Sequence, residues 1–509
     1  MHLKKRLFNR IPVVIFIIAV QVSWIAFMLM KLTALFWPIS FSLQVISIIA
    51  ILVIINRRDN PAYKLAWVIP ILAFPILGGL LYLVIGGKKP ARKMRRSLNQ
   101  SWERMVGFLS QDTTVFDEMA VLDKTAHGQV HYLWNSATFP VYRNTKTKYY
   151  RNGEEMYPDM LEALCSAKHY IFMEYFIIEP GTMWDGILAI LKEKARMGVD
   201  VRLIYDDLGC LNKLPYGYKE ELSKYGIKCE VFNSVRLLFT TVINYRDHRK
   251  ILVVDGCIGF TGGINLADEY INVISPFGYW KDAGVRLKGE AVYSLTIMFL
   301  TTWFSLRRDD EDISMFKPCF DPKICSDHDG YVQPYCDSPL DEEYVAENVY
   351  LNIINMATRY VYLYTPYLII DNELMTSLCL AARRGVDVRI MTPGIPDKKL
   401  VFFATQSCYL QLIEAGVKIY EFTPGFLHAK CSVCDDKIAT VGTANLDYRS
   451  LYLNFECGVY FYGSSVVMAL KKDFLDTLEK CIRIDGQAMQ HKLPVRLAQS
   501  ILRLFAPML

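Results

Sequence analysis

Two stretches of the chain, 180 residues apart, carry one constellation. His248, Lys250, Asp255, Gly262 and Asn265 recur as His428, Lys430, Asp435, Gly442 and Asn445, with every internal spacing preserved. A single His-x-Lys match says little, but a second copy at matched offsets implies a chain folded as two related halves that build one active site between them. The repeat continues outside the motif. Arg-Met-Gly-Val-Asp-Val-Arg at 196–202 returns as Arg-Arg-Gly-Val-Asp-Val-Arg at 383–389, and Tyr-Gly-Ile-Lys at 225–228 as Ala-Gly-Val-Lys at 415–418. No shorter period of 20–50 residues is present, which excludes a solenoid.

Each half reads strand, helix, strand, helix, strand, with Gly198 and Gly385 ending a helix before a short strand. The runs HYIFMEYFII (169–178) and RYVYLYTPYLII (359–370) are almost continuously apolar, as expected of strands covered by helices on both sheet faces. The expected fold class is α/β: two pseudo-symmetric α/β/α sandwich halves sharing one active site, preceded by an N-terminal transmembrane helical region.

The membrane region is read from three uncharged runs, 11–30, 39–55 and 65–87. Twenty apolar residues in a helix span roughly 30 Å of hydrocarbon. Three spans with the large domain in the cytoplasm would leave the basic residues evenly divided between the two sides. A two-span hairpin puts the N-terminus and the basic cluster at 88–96 inside, and is the favoured topology. Thirteen cysteines, none before Cys165, do not form a disulfide framework and fit a reducing compartment. Cys431 and Cys434 are read as apolar strand residues, not as zinc ligands. With 57 Lys and Arg against 52 Asp and Glu, the net charge of +5 is too small to suggest nucleic acid, and its clustering beside apolar runs suits a lipid bilayer.

The doubled motif has the chemistry of a phosphodiester site. Period-2 spacing puts His248 and Lys250, and likewise His428 and Lys430, on one side of a strand. Asp255 and Asp435 follow at turns, where a carboxylate can brace neighbouring donors. Gly262 and Gly442 allow close backbone approach, and Asn265 and Asn445 offer amide donors to an anion. Lysines and amides would neutralise the nonbridging oxygens while one histidine attacks phosphorus and the other protonates the leaving alkoxide. Such a histidine needs an orienting partner on its other ring nitrogen. Asp282 in Trp280-Lys-Asp282-Ala-Gly-Val and Glu456 in Asn454-Phe-Glu456-Cys-Gly-Val occupy equivalent positions, and each is expected to hold the histidine of its own half.

On these residues the chain resembles the phospholipase D superfamily, and within it the bacterial cardiolipin synthases. HRKILVVDGCIGFTGGINLADEYI (248–271) and HAKCSVCDDKIATVGTANLDYRSLYLNFE (428–456) are similar to that family's two signatures, and NPAYKLAWVIPILAFPILGGLLYLVIG (60–86) is similar to its membrane anchor. The resemblance implies phospholipase D-type halves, a covalent phosphohistidine, and no metal or other cofactor. It also implies phosphatidylglycerol as donor and acceptor, with cardiolipin and glycerol as products, in a multi-pass protein of the bacterial cell membrane. Superfamily precedent makes His248 the nucleophile and His428 the general acid and base, with the reverse assignment left open. Cys431 and Cys434 depart from the aliphatic residues expected there, and an extra apolar run at the N-terminus departs from the family's anchor.

Other readings stand beside this one. A phospholipase D-type hydrolase, with water as acceptor, or another phosphatidyltransferase would use the same residues, and an inactive membrane scaffold would be expected to have lost a His or Lys of the motif. The expected organisation is an anchor at 1–87, a basic tether at 88–125, half 1 at 126–307, an inter-half segment at 308–343, half 2 at 344–486 and an amphipathic tail at 487–509. In the tail, Leu497, Ile501, Leu504 and Phe505 share one helical face, which suits either the membrane interface or the catalytic domain.

Overall fold

A computed structural model describes residues 37–57, 60–74, 92–234, 244–307, 311–317, 328–341, 343–486 and 493–508, with isolated residues at 19–24 and 78–82. The described residues divide into two compact units, one from the N-terminal region with the extreme C-terminus and one from the rest of the chain.

In the first unit the helix Trp37–Ile55 is followed by the helix Pro61–Ala73. Asn60 starts the second helix by accepting from the Ala62 N–H at 2.9 Å, with Pro61 in the first turn, where its missing N–H is harmless. Ile54, Tyr63, Trp67 and Ile71 pack together, while Phe41, Ile46, Ile49, Leu52 and Val53 are exposed. Among the described residues no helix is long and apolar enough to cross a membrane. The expected span at 11–30 lies outside the described residues apart from four positions, and most of 75–87 does too.

The second unit is built on two sheets. The first half supplies β1 (Thr145–Tyr150), β2 (Tyr170–Tyr175), β3 (Asp200–Asp206), β4 (Lys228–Phe232), β5 (Arg246–Asp247), β6 (Lys250–Val254), β7 (Ile258–Gly262), β8 (Tyr279–Lys281) and β9 (Gly284–Gly289). The second supplies β10 (Tyr331–Asp337), β11 (Tyr360–Tyr364), β12 (Leu368–Ile369), β13 (Asp387–Pro393), β14 (Lys418–Phe422), β15 (Gly425–Leu427), β16 (Cys431–Cys434), β17 (Ile438–Gly442), β18 (Leu446–Asp447), β19 (Asn454–Tyr462) and β20 (Cys481–Arg483). Among the described residues the first sheet runs β1, β9, β7, β6, β2, β3, β4, and the second runs β10, β19, β17, β16, β11, β13, β14, β20. The two orders match strand for strand, with β20 added at the end.

β2, β3 and β4 are parallel, as are β11, β13 and β14, and helices Thr182–Arg196 and Asn372–Arg383 make the crossovers after β2 and β11. The central strands β2, β6, β11 and β16 are buried along their whole length, which is why their sequences do not alternate. β10 belongs to the second sheet although it falls in the expected inter-half segment. Its Pro334, unable to donate to a ladder, is tolerated at a sheet edge and disguises the strand in sequence. The expected basic tether contains the helices Arg92–Val106 and Thr113–Leu122. The first packs on the buried helix Val292–Arg307, with the Ser97 hydroxyl donating to the Ser305 carbonyl at 2.7 Å.

Candidate active site

In the register of β6 against β2, Lys250 lies opposite Tyr175, so the motif begins at the carboxyl edge of the parallel strands. That edge is where α/β sheets place their ligands. His248 is delivered there by β5, which leaves its own half and pairs in parallel with the start of β19, Arg246 opposite Asn454 and Asp247 opposite Phe455. The His248 N–H then donates to the Phe455 carbonyl at 2.9 Å. The second half mirrors this. β15 pairs in parallel with β8 of the first half, and the His428 N–H donates to the Lys281 carbonyl at 2.7 Å.

This exchange of short strands corrects the expected pairing of histidines with carboxylates. His248 Nδ1 lies 3.0 Å from both Glu456 oxygens, and His428 Nδ1 lies 2.6 Å from Asp282 Oδ2. Each imidazole is therefore held by the opposite half. The cause is main-chain pairing: β5 runs beside the strand that carries Glu456, and β15 beside the strand that precedes Asp282. With Nδ1 engaged, Nε2 is the ring nitrogen left for chemistry.

Both lysines are buried, and each ammonium is tied to the carbonyl of the histidine two residues before it. Burial lowers Lys250 to about 8 against the pull of Glu456, and burial lowers Lys430 to about 7 against that of Asp282. Burial and the Lys430 charge lower His428 to about 3, and burial with Lys250 and Lys430 holds His248 well below its ordinary value. Burial lifts Glu456 to about 7. For Asp282 burial is outweighed by His428 and Lys430, which hold it below the usual carboxylate range. The site thus gathers two buried lysines, two buried carboxylates and two imidazoles whose charged form burial disfavours.

The other expected residues have structural duties. Asp255 and Asp435, expected as catalytic, sit at the far ends of β6 and β16 from the histidines. Asp255 accepts from the N–H groups of Lys168, His169 and Tyr170, each at 2.8 Å. Asp435 accepts from those of Thr358, Arg359 and Tyr360 at 2.7–2.9 Å. Each adopts a left-handed turn conformation, φ 51°, and ties a hairpin to the start of the neighbouring strand.

Asn265 and Asn445, expected as phosphate donors, turn their amides into the protein. Asn265 donates to the Tyr270 hydroxyl at 2.7 Å and accepts from the Ile177 N–H at 3.0 Å, and Asn445 donates to Asp447 at 3.1 Å. Gly262 is left-handed (φ 145°), and a Cβ there would lie 2.5 Å from the Ala283 carbonyl oxygen. At Gly442 a Cβ would lie 2.7 Å from that of Cys457, so both glycines let adjoining strands meet.

The cardiolipin synthase, PLD-like domain model matches residues 160–274 and 350–478, and a phospholipase D-nuclease N-terminal model matches 45–87. A protein described as a cardiolipin synthase in Geobacillus kaustophilus is 35% identical over 94% of this chain and 95% of its own length. A second, from a Geobacillus species, is 34% identical over 98% of this chain and its own full length. The chain belongs to the cardiolipin synthase family. It is also 43% identical to an uncharacterized protein of Streptococcus mutans, over 90% of this chain and 99% of that protein. The crystal structure of a phosphatidylserine synthase from Haemophilus influenzae shares the fold, with a TM-score of 0.57 at 14% identity over 76% of this chain and all of that one.

Within this family member, several site residues escaped the sequence reading. A Cβ at Gly263 would stand 2.0 Å from Asp282 Oδ1, so the glycine makes room for that carboxylate. Thr443, at the equivalent position, donates its hydroxyl to Glu456 at 2.5 Å, and Asn454 adds a bond at 3.2 Å. The Gly-Gly against Gly-Thr difference is the one signal of this in the sequence. Around His428 stand Tyr270, Trp280 and Phe426, with ring centroids 5.3–5.8 Å away, while His248 meets Phe176 edge-on at 5.0 Å.

A carboxylate trio, Glu347, Asp371 and Glu373, also forms in the second half. Asp371 caps the helix Asn372–Arg383 and accepts from the Tyr452 hydroxyl, while burial and Asp371 push Glu347 up to about 9. With Glu347 disfavoured as a carboxylate and Asp371 engaged in capping, the trio gives no reason to assign a metal.

Proposed function

We propose that the protein is a membrane-bound cardiolipin synthase that passes the phosphatidyl group of one phosphatidylglycerol to a hydroxyl of another, releasing cardiolipin and glycerol. The observation that carries this reading is the pair of imidazoles, each fixed through Nδ1 by a carboxylate of the opposite half, above two buried ammonium groups. The family membership gives the substrate class.

In the first step His248 Nε2 bonds to phosphorus as the bond from phosphorus to the glycerol oxygen breaks, and His428, protonated, gives that oxygen its proton. In the second step the acceptor hydroxyl loses its proton to His428 as its oxygen displaces His248. His428 ends protonated, as it began. Burial and the Lys430 charge disfavour the imidazolium of His428; the phosphodiester anion offsets that lysine charge, and Asp282 stabilises the imidazolium. Lys250 and Lys430 offset charge on the nonbridging oxygens.

The uncharged runs in the first 87 residues support a membrane anchor, and the eleven cysteines among the described residues, all unpaired, support a cytoplasmic catalytic unit. Incubating the purified protein with phosphatidylglycerol alone tests the reading. Cardiolipin with glycerol is the expected product; phosphatidic acid with glycerol would make the enzyme a hydrolase.

A further inference from the structure

The imidazoles are each only 8% exposed, yet on the proposed reading the phosphorus they act on belongs to a lipid whose chains stay in a bilayer. Either the lipid leaves the bilayer or the rim of the site meets it. The loops at the carboxyl edge of the sheets carry exposed apolar side chains. Leu208, Val273, Ile274, Ile395 and Leu400 are between 38% and 58% exposed, and Tyr216 is wholly so.

These come from three loops that border the site. The loop after β3 presses on Phe176, since a Cβ at Gly209 would lie 2.0 Å from the Phe176 carbonyl oxygen, and Phe176 contacts His248. The loop before β8 meets the loop after β13, where a Cβ at Gly278 would lie 3.3 Å from Ile395 Cδ1. β8 and β15, which follow, lead to His428. Beside Leu400 the exposed Lys398 and Lys399 open the helix Lys399–Gln406, and the charge of Lys398 is felt at His248.

We propose that this rim, Leu208 and Tyr216 on one side and Val273, Ile274, Ile395 and Leu400 on the other, is a second membrane contact, separate from the N-terminal region, that seats the active-site mouth on an anionic bilayer. Apolar side chains enter the interface while Lys398 and Lys399 meet lipid phosphates. The lipid then reaches the site without its acyl chains crossing water. Single exposed apolar side chains are ordinary on a protein surface, and others occur elsewhere on this unit, but these six stand on three loops at the sheet edge that carries both histidines. The inference deepens the phosphatidyl-transfer reading by assigning how the substrate is reached.

The test is amide hydrogen exchange on the full chain, in nanodiscs containing phosphatidylglycerol and in a lipid-free amphipathic polymer. Segments 207–217, 272–278 and 395–403 are expected to exchange at least about fivefold more slowly in nanodiscs, with the turns at 166–169 and 356–359 unchanged. Equal exchange at the three segments in both settings would overturn the proposal. The double variant Ile274→Asp with Leu400→Asp should abolish the slowing. It should also lower the ratio of turnover on bilayer lipid to turnover on short-chain monomeric phosphatidylglycerol about tenfold, and an unchanged ratio would count against the rim. Exchange is read without turnover, so slowing in a protein that makes no cardiolipin would keep the surface and reject the activity.

Discussion

His248 Nδ1 lies 3.0 Å from both oxygens of Glu456, a residue 208 positions away in the other half of the chain. His428 and Asp282 repeat the arrangement in the opposite sense at 2.6 Å. The two halves exchange the groups that orient their histidines, and this exchange decides what each carboxylate does in the reaction.

Glu456→Gln should therefore impair the step that depends on His248, and Asp282→Asn the proton transfers of His428. Both are expected to lose at least ~10²-fold in turnover. In single-turnover experiments Glu456→Gln should slow formation of the phosphatidyl-enzyme most, and Asp282→Asn should slow its transfer to acceptor as well. Exchanged phenotypes would mean that the carboxylates serve the histidines in the opposite roles.

His248→Asn removes the proposed nucleophile while keeping the side chain's size. Acid-labile phosphatidyl-enzyme, trapped with radiolabelled phosphatidylglycerol, should vanish in this variant. Label retained on His428 would reverse the two roles.

The pH profile should be bell-shaped. Glu456, lifted to about 7, is ionised above that value, whereas Lys430 at about 7 and Lys250 at about 8 keep their charges only below theirs. kcat/KM should rise as the carboxylate ionises, fall as the ammonium groups lose their protons, and peak near neutrality. Arginine stays charged throughout, so Lys430→Arg should move the alkaline limb upward, whatever it does to the maximum rate. A limb that does not move would show that another group sets it.

Asp435 works on stability. Burial raises its carboxyl, but the Thr358 hydroxyl and three backbone N–H groups outweigh that and hold it below the ordinary value. The stability it lends is thus present at neutral pH and lost as pH falls through the lowered value. Asp435→Asn should lower Tm by roughly 2–4 °C at pH 7, less at acid pH, and leave kcat/KM within about threefold of the parent. A loss of activity without a loss of Tm would return Asp435 to the catalytic set.

Turnover should survive EDTA, because buried lysines meet the charge of the phosphate. Loss of activity on chelation, restored by one particular divalent ion, would defeat the metal-free mechanism.

The sequence carried the sheets and the doubled motif because both are written in local terms: apolar runs, the glycines that end helices, and a fixed spacing from histidine to lysine. The crossed carboxylates were not legible, because they depend on β5 and β15, two- and three-residue strands whose partners lie far along the chain. The amides of Asn265 and Asn445 look like free donors until tertiary structure brings in Tyr270, Ile177 and Asp447. Asp255 and Asp435 belong to the motif by spacing, but the extended strand between them and the histidines carries them some 15 Å from the chemistry.

The strand exchange also bears on when the proposed nucleophile becomes reactive. While the first half has folded and the second has not, as during synthesis, His248 has no Glu456 to fix its ring and no Lys430 beside it. Half of this protein is a fold without a reagent. On the proposed mechanism, a lipid meets an oriented nucleophile only after the whole chain has closed around it.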